Sequence, residues 1–345
     1  MMISIGILAH NEERFIGATI ALLLAQSIFR NPKTAKEIIV IANGCSDATV
    51  AAAANALREA DSFENCRTEV RDISEPGKAN AWNVFIHEAS AKSADYFVLL
   101  DADIEFENND AIERLIRHLE ADAALEIAPD QPVKKFASRG PFSALVRLMQ
   151  KTGSDGDTAL SGQLYAARAQ NLRSIVMPRG IVVEDGYLRA MTLTRNFTEG
   201  ENRARIRRAP GVRHFYAPYE SLGDVYRYER RQAAGTAINR FVYREIERWR
   251  SVGLDPFAEI ARLNEESPDW LEELIAEEAA SGLIALPGKY VLRRLRRRDN
   301  WRARRIFKAP LLLAATLFDL VVAFDATRQL KNRRSGKRWE TIRDA

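Results

Sequence analysis

Cysteine is scarce. The chain has two, Cys45 and Cys66, among its 345 residues. That is too few for a disulfide framework, and their spacing suits no metal site. A reducing, cytoplasmic setting is therefore the default. Long hydrophobic runs are missing too: none reaches the roughly 18 residues expected of a spanning helix. The N-terminus opens on a strand-like segment, Met2 to Leu8, without the basic-then-apolar layout of a signal peptide. No Gly-x-Gly-x-x-Gly follows that segment, which argues against a dinucleotide oxidoreductase. There is no internal repeat, and no low-complexity tract beyond two blocks of charge.

What is present fits a globular chain. Hydrophobic residues make up 46% and charged residues 28%, enough apolar material for one large domain with an appendage. The net charge of +4 hides a segregation. An acidic block runs from Asp255 to Glu278, and a basic block from Lys289 to Lys308. Such asymmetry marks the last quarter of the chain as an interaction surface.

The first hundred residues alternate strand and helix patterns. Strands are expected at Ile3 to Leu8, Glu37 to Ala42, Arg67 to Ile73 and Tyr96 to Leu100, with helices at Glu12 to Gln26, Asp47 to Ala60 and Gly77 to Ala89. This order predicts an α/β fold with a mostly parallel sheet. Further on, helices are expected at Ala111 to Ala121, Pro141 to Lys151 and Val225 to Arg250, and a short strand at Ile181 to Val183.

The fourth strand, Tyr96-Phe97-Val98-Leu99-Leu100, ends in Asp101-Ala102-Asp103. Two unpaired carboxylates cannot stay inside a core, so the chain must surface at Asp101. Residues two apart on an extended chain point the same way. Two hard oxygen ligands on one side suit Mg²⁺ or Mn²⁺ with phosphate oxygens completing the shell. Open α/β sheets bind ligands at this edge. The loops after the first two strands, Ala9-His10-Asn11-Glu12-Glu13 and Asn43-Gly44-Cys45-Ser46-Asp47, belong at the same edge.

The ordered set of motifs resembles the family 2 glycosyltransferases. It comprises the opening strand with Ala9 to Glu13, Asn-Gly-x-Ser-Asp at 43–47, Gly-Lys-Ala-x-Ala-x-Asn at 77–83, Asp-x-Asp at 101–103 and Glu184-Asp185. The resemblance extends over roughly residues 2–232. It implies a GT-A fold and transfer of a sugar from a nucleotide diphosphate donor with inversion at the anomeric carbon. It implies that Ala9 and Glu12 line the nucleoside pocket, Asn43 reads the base and Lys78 lies near the nucleotide. Asp101 would approach ribose or metal, Asp103 would hold the divalent ion, and Asp185 would be the general base. His214 would be a late metal ligand or a structural histidine. Arg230 or Arg231 would grip the diphosphate or form the basic face of a solvated helix. Glu12 also reads as a first-turn acid, Asn43 as a turn former, Glu184 as a structural partner and Asp185 as an N-cap.

Two departures from the family pattern stand out. Ala42 replaces the acid that often precedes Asn43. The processive members' Gln-x-x-Arg-Trp is reduced to Tyr228-Glu229-Arg230-Arg231-Gln232, which argues against a polymer synthase.

Pro310 to Phe324 is apolar, short and flanked by Arg304, Arg305 and Lys308 before and Arg328, Lys331, Arg333 and Arg334 after. That layout fits an interfacial helix on an anionic membrane, or a helix docked on the protein. The resulting expectation is a catalytic domain over 1–235 (nucleotide half 1–105, acceptor half 106–235) and a helical region over 236–345 with an interfacial helix at 309–325. The expected enzyme lies on the cytoplasmic membrane face and uses a lipid-linked or glycolipid acceptor. No nucleic-acid module accompanies the arginines. The competing readings are a nucleotidyltransferase, although residues 2–14 contain only Gly6, and a non-catalytic nucleotide-sugar-binding scaffold.

Overall fold

The computed structural model describes residues 1–134, 158–216, 222–280, 285–286, 288–292 and 309–332. The helix expected at Pro141 to Lys151 lies outside them. The chain divides into two units.

The first unit holds the α/β sheet. Its strands are β1 (Met2–Ala9), β2 (Ala35–Asn43), β3 (Cys66–Ile73), β4 (Tyr96–Asp101), β5 (Glu105–Phe106), β6 (Ile127–Pro129), β7 (Gln131–Lys134), β8 (Leu164–Arg168) and β9 (Arg213–Tyr216). Six form one sheet in the order β3-β2-β1-β4-β8-β6, and β5-β9-β7 form a second. β1 to β4 run parallel to one another, while β8 is antiparallel to β4 and β6 to β8. Central strands covered on both faces read as unbroken apolar runs. β1 and β2 show this: Ile3, Ile5, Ile7, Ile38 and Val40 are fully buried, each side chain worth about 1.5–3 kcal/mol of transfer free energy.

The helices of this unit are α1 (Ile16–Leu24), α2 (Thr49–Leu57), α3 (Lys78–Asn83), α4 (Ala111–Glu120), α5 (Ala169–Arg173) and α6 (Glu184–Leu193). α4 shows the amphipathic logic plainly, burying Ile112, Leu115, Ile116 and Leu119 at helical spacing. The helix expected over Gly77 to Ala89 changes character midway. After α3 it widens over Val84–Ala89, where Ser90 N donates to Phe85 O across five residues at 3.0 Å.

The second unit is helical. It contains α7 (Leu222–Ser251), α8 (Pro256–Glu266), α9 (Trp270–Ala280), α10 (Gly288–Val291) and α11 (Ala309–Asn332). Residue 235 falls inside α7. Asp255 caps α8 by accepting from Phe257 N at 3.0 Å. Residues 181–183 belong to this unit and are not a strand. Their β-branched composition suggests a ladder, but their carbonyls are served by side chains of α7 instead. Asn239 Nδ2 donates to Val183 O at 3.0 Å, and Arg231 to Val182 O at 3.5 Å.

Candidate functional site

The parallel register fixes the site. Leu8 sits opposite Asp101 and Ala9 opposite Ala42, so the loops after β1, β2 and β4 leave one edge together. The order β3-β2-β1-β4 means that the chain reverses direction across the sheet between β1 and β4. Open α/β sheets bind ligands at the carboxyl end of such a switch point.

The first two loops are zipped to each other. Asn11, at φ 55°, adopts a left-handed conformation that asparagine tolerates, and its Oδ1 accepts from Ser46 N at 2.8 Å. Glu12 N donates to Thr49 Oγ1 at 2.8 Å, and Glu13 Oε2 accepts from Ala48 N at 2.9 Å. Asn43 is buried, with both ends of its amide in use. Its Nδ2 donates to Ala9 O at 2.6 Å, and its Oδ1 accepts from Gly77 N at 2.9 Å. Asn43 thereby braces β1 to the start of α3. Gly77 has φ 143°, which a side chain would resist. Ala9 is buried as well, and its carbonyl takes the Asn43 bond.

The charged centre forms where α3, β4, α6 and the lead into β8 converge. Lys78 Nζ lies 2.6 Å from Asp101 Oδ1, 3.0 Å from Glu184 Oε1 and 3.1 Å from Gly162 O. Burial works against the ammonium, but the two carboxylates outweigh it and raise the Lys78 pKa. For Asp101, burial is the larger effect and raises its pKa; Lys78 opposes the rise, and Asp103 and Glu184 add to it. Asp185 follows in the first turn of α6, not at a strand end, and its Oδ1 accepts from Gly186 N at 2.6 Å. Burial and then the Glu184 charge push its pKa up to about 7, against the opposing pull of Lys78.

Sequence reasoning misses Gly162. A Cβ there would stand 2.7 Å from Glu184 Oε1, 3.3 Å from Lys78 Nζ and 3.6 Å from Asp185 Cβ. Its signal is present, since an isolated glycine just before an apolar strand (Leu164 to Ala167) marks a close approach. Tyr165 is the other missed residue. It is buried and takes a 2.8 Å bond from Trp82 Nε1. The same segment is tied to the end of β4, where Asp101 N donates to Gln163 O at 2.9 Å.

Among the described residues no three His, Cys, Asp or Glu side chains form a preformed metal cage. The donor set still fits a hard divalent cation shared with a phosphate. Asp101 and Asp103 supply oxygens one residue apart, and the charges of Asp101, Glu184 and Asp185 gather around Lys78. His214 lies on β9, paired with Phe106 of β5, three residues after Asp103. It is fully buried, with Nδ1 2.5 Å from Asp130 Oδ2, while Nε2 has no hydrogen-bond partner among the described residues. A carboxylate on Nδ1 with a bare Nε2 is how proteins orient a metal-ligating imidazole. Burial raises the Asp130 pKa, and His214 opposes the rise. Arg230 and Arg231 belong to the second unit, where Arg230 Nη1 lies 3.2 Å from Asp325 Oδ2.

Residues 4–143 match the model for glycosyl transferase family 2. That segment is similar to the family 2 glycosyltransferases. No curated protein sequence matches it closely enough to add to that. Among solved structures, the chain resembles the mannosyltransferase PcManGT from Pyrobaculum calidifontis in complex with GDP-Man and Mn²⁺. The TM-score is 0.55 at 16% identity, over 96% of this chain and 87% of that one. Residues 1–349 of S. aureus TarS, in complex with UDP, align with a TM-score of 0.48 at 15% identity, over 98% and 93% of the two chains. The fold is GT-A.

Proposed function

We propose that this glycosyltransferase moves a sugar from a nucleotide diphosphate donor to an acceptor hydroxyl by a single, inverting displacement. The observation that carries the reading is the convergence of Lys78, Asp101, Glu184 and Asp185 around Gly162 at the sheet's switch point. Asp185 is the general base. A carboxylate poised near pH 7 can take the proton of a hydroxyl that is otherwise a poor nucleophile. Lys78 opposes the rise in the Asp101 pKa and pairs with Glu184, and Gly162, lacking a side chain, lets Glu184 and Lys78 come close to the backbone. No second carboxylate is needed as a nucleophile, because a single displacement forms no covalent enzyme intermediate.

Asp103, with Asp101 and His214, would hold Mg²⁺ or Mn²⁺. Such an ion supplies Lewis-acid neutralisation of the charge developing on the diphosphate leaving group. PcManGT was solved with GDP-Man and Mn²⁺, which supports a donor and metal of that class here. Glu12 and the loop after β1 would flank the nucleoside. The acceptor is carried by a lipid, and the enzyme works at the cytoplasmic face of an anionic membrane. The support is the run of basic residues on both sides of the apolar segment at 309–325.

Purified enzyme incubated with a panel of nucleotide sugars should release nucleoside diphosphate only with Mn²⁺ or Mg²⁺, and the product should have the inverted anomeric configuration. Asp103→Asn and Asp185→Asn should each abolish transfer. Retained configuration, or pyrophosphate release from a nucleoside triphosphate and a sugar phosphate, would overturn the reading.

A further inference from the structure

α11 is inside out for a helix in water. The face turned to the protein carries its polar residues: Thr316, Asp319 and Thr327 are buried beside Val322, Ala323 and Leu330. That face is tied down within the second unit. Asp325 Oδ2 accepts from the Tyr226 hydroxyl at 2.8 Å and from Arg230 Nη1 at 3.2 Å, and Thr327 Oγ1 accepts from Ala285 N at 3.0 Å. The face turned outward is apolar. Leu313, Leu317, Leu320, Val321 and Phe324 are 56, 64, 38, 58 and 56% exposed. At 100° per residue these five fall within about 100° of arc and span about 16 Å of helix. A monomer in water rarely shows so many large apolar side chains in one contiguous strip.

Charge decides what covers the strip. Arg328 and Lys331 are exposed and continue the same face one and two turns past Phe324. The sequence before the helix adds Arg302, Arg304, Arg305 and Lys308. Basic residues flank the strip in sequence on both sides, so a second copy of this chain would set cation against cation in either antiparallel or parallel register. An anionic bilayer meets both ends and the middle. Among the described residues no helix is long and apolar enough to cross a membrane, and the inward acids Asp319 and Asp325 fit a helix lying flat.

We infer that α11 lies in the interfacial plane of an anionic lipid leaflet, with Leu313, Leu317, Leu320, Val321 and Phe324 inserted and Arg328 and Lys331 on the headgroups. The inference rests on the membrane-side reading of the enzyme and names the surface that carries it. It predicts membrane contact through a face already present in the folded enzyme.

The test is flotation of the full-length protein with vesicles of phosphatidylcholine alone or mixed with phosphatidylglycerol. The wild type should float with the anionic vesicles and dissociate as salt rises. Leu317→Asp with Phe324→Asp should lower partitioning by about tenfold or more for each side chain withdrawn. Both positions are exposed, so the circular dichroism spectrum and release of nucleoside diphosphate from a soluble donor should not change. Wild-type partitioning by the double variant would overturn the role of the strip while leaving membrane association standing. A wild type that floats with neither vesicle would overturn both, with sugar transfer still to be read from the turnover assay. A dimer that the double variant converts to monomer, without vesicle binding by the wild type, would assign the strip to self-association instead.

Discussion

Asp185→Asn should leave an enzyme that is inactive yet more stable, and the gain should depend on pH. Folding lifts the Asp185 carboxyl from 3.8 to about 7. Below pH 3.8 the group is protonated in both folded and unfolded chains, and folding carries no penalty for it. Between pH 3.8 and 7 the unfolded chain has released the proton and the folded chain has kept it. The unfolded state therefore binds fewer protons, and stability falls as pH rises through this window, levelling off above about 7. A tenfold change in proton affinity corresponds to about 1.4 kcal/mol, so the full rise is worth about 4 kcal/mol. The side chain is only half-buried, and solvent screening reduces this to about 2 kcal/mol. The asparagine variant escapes the penalty. Its unfolding free energy should match that of the wild type near pH 4 and exceed it by about 2 kcal/mol at about pH 8, read from urea titrations across that range. A gain that is constant with pH, or that grows toward acid, would refute the reasoning. Full transfer activity in the variant would remove Asp185 as the base.

The neighbouring side chains give further expectations. Glu184→Gln removes the like charge that helps raise Asp185, so the acidic limb of kcat against pH should move down by about one pH unit. Lys78→Met leaves Asp101 and Glu184 facing each other without the ammonium now within 3.0 Å of both. Denaturant titration should show a loss of about 3–5 kcal/mol, and transfer should cease. Gly162→Ala puts a methyl 2.7 Å from Glu184 Oε1. Displacing the Glu184–Lys78 pair should lower kcat about a hundredfold at a stability cost of about 1–3 kcal/mol, so kinetics should suffer more than folding.

The sheet was legible because its signals are local. Apolar runs such as Ile38-Ile39-Val40-Ile41 and Val98-Leu99-Leu100 cannot be exposed, and the helical spacing between them forces parallel crossovers. The carboxylates at 101 and 103 announced the exposed end of β4 for the same reason, since an apolar run cannot end in charge inside a core. Legibility failed where a residue's partner lies far along the chain. Ile181 to Val183 has strand composition, yet its carbonyls are taken by Asn239 and Arg231 of α7. α6 also begins at Glu184 rather than near Gly186. The bonds of Asn43 to Ala9 and Gly77 likewise join segments 34 residues apart, which the sequence does not show. The inverted polarity of α11 was equally hidden. Its sequence shows an apolar face and a polar face but not which one meets α7, and Tyr226, Arg230 and Asp325 settle that only in three dimensions.

The central claim is that one divalent ion, held by Asp103, sits between the protein and a diphosphate at the end of β4. Crystals soaked with Mn²⁺ and a nucleoside diphosphate, measured at the manganese absorption edge, test it directly. The account predicts a single anomalous peak at the Asp103 carboxylate beside the diphosphate, absent in Asp103→Asn. Diphosphate density elsewhere on the molecule, or a peak that survives the Asp103 substitution, would contradict it.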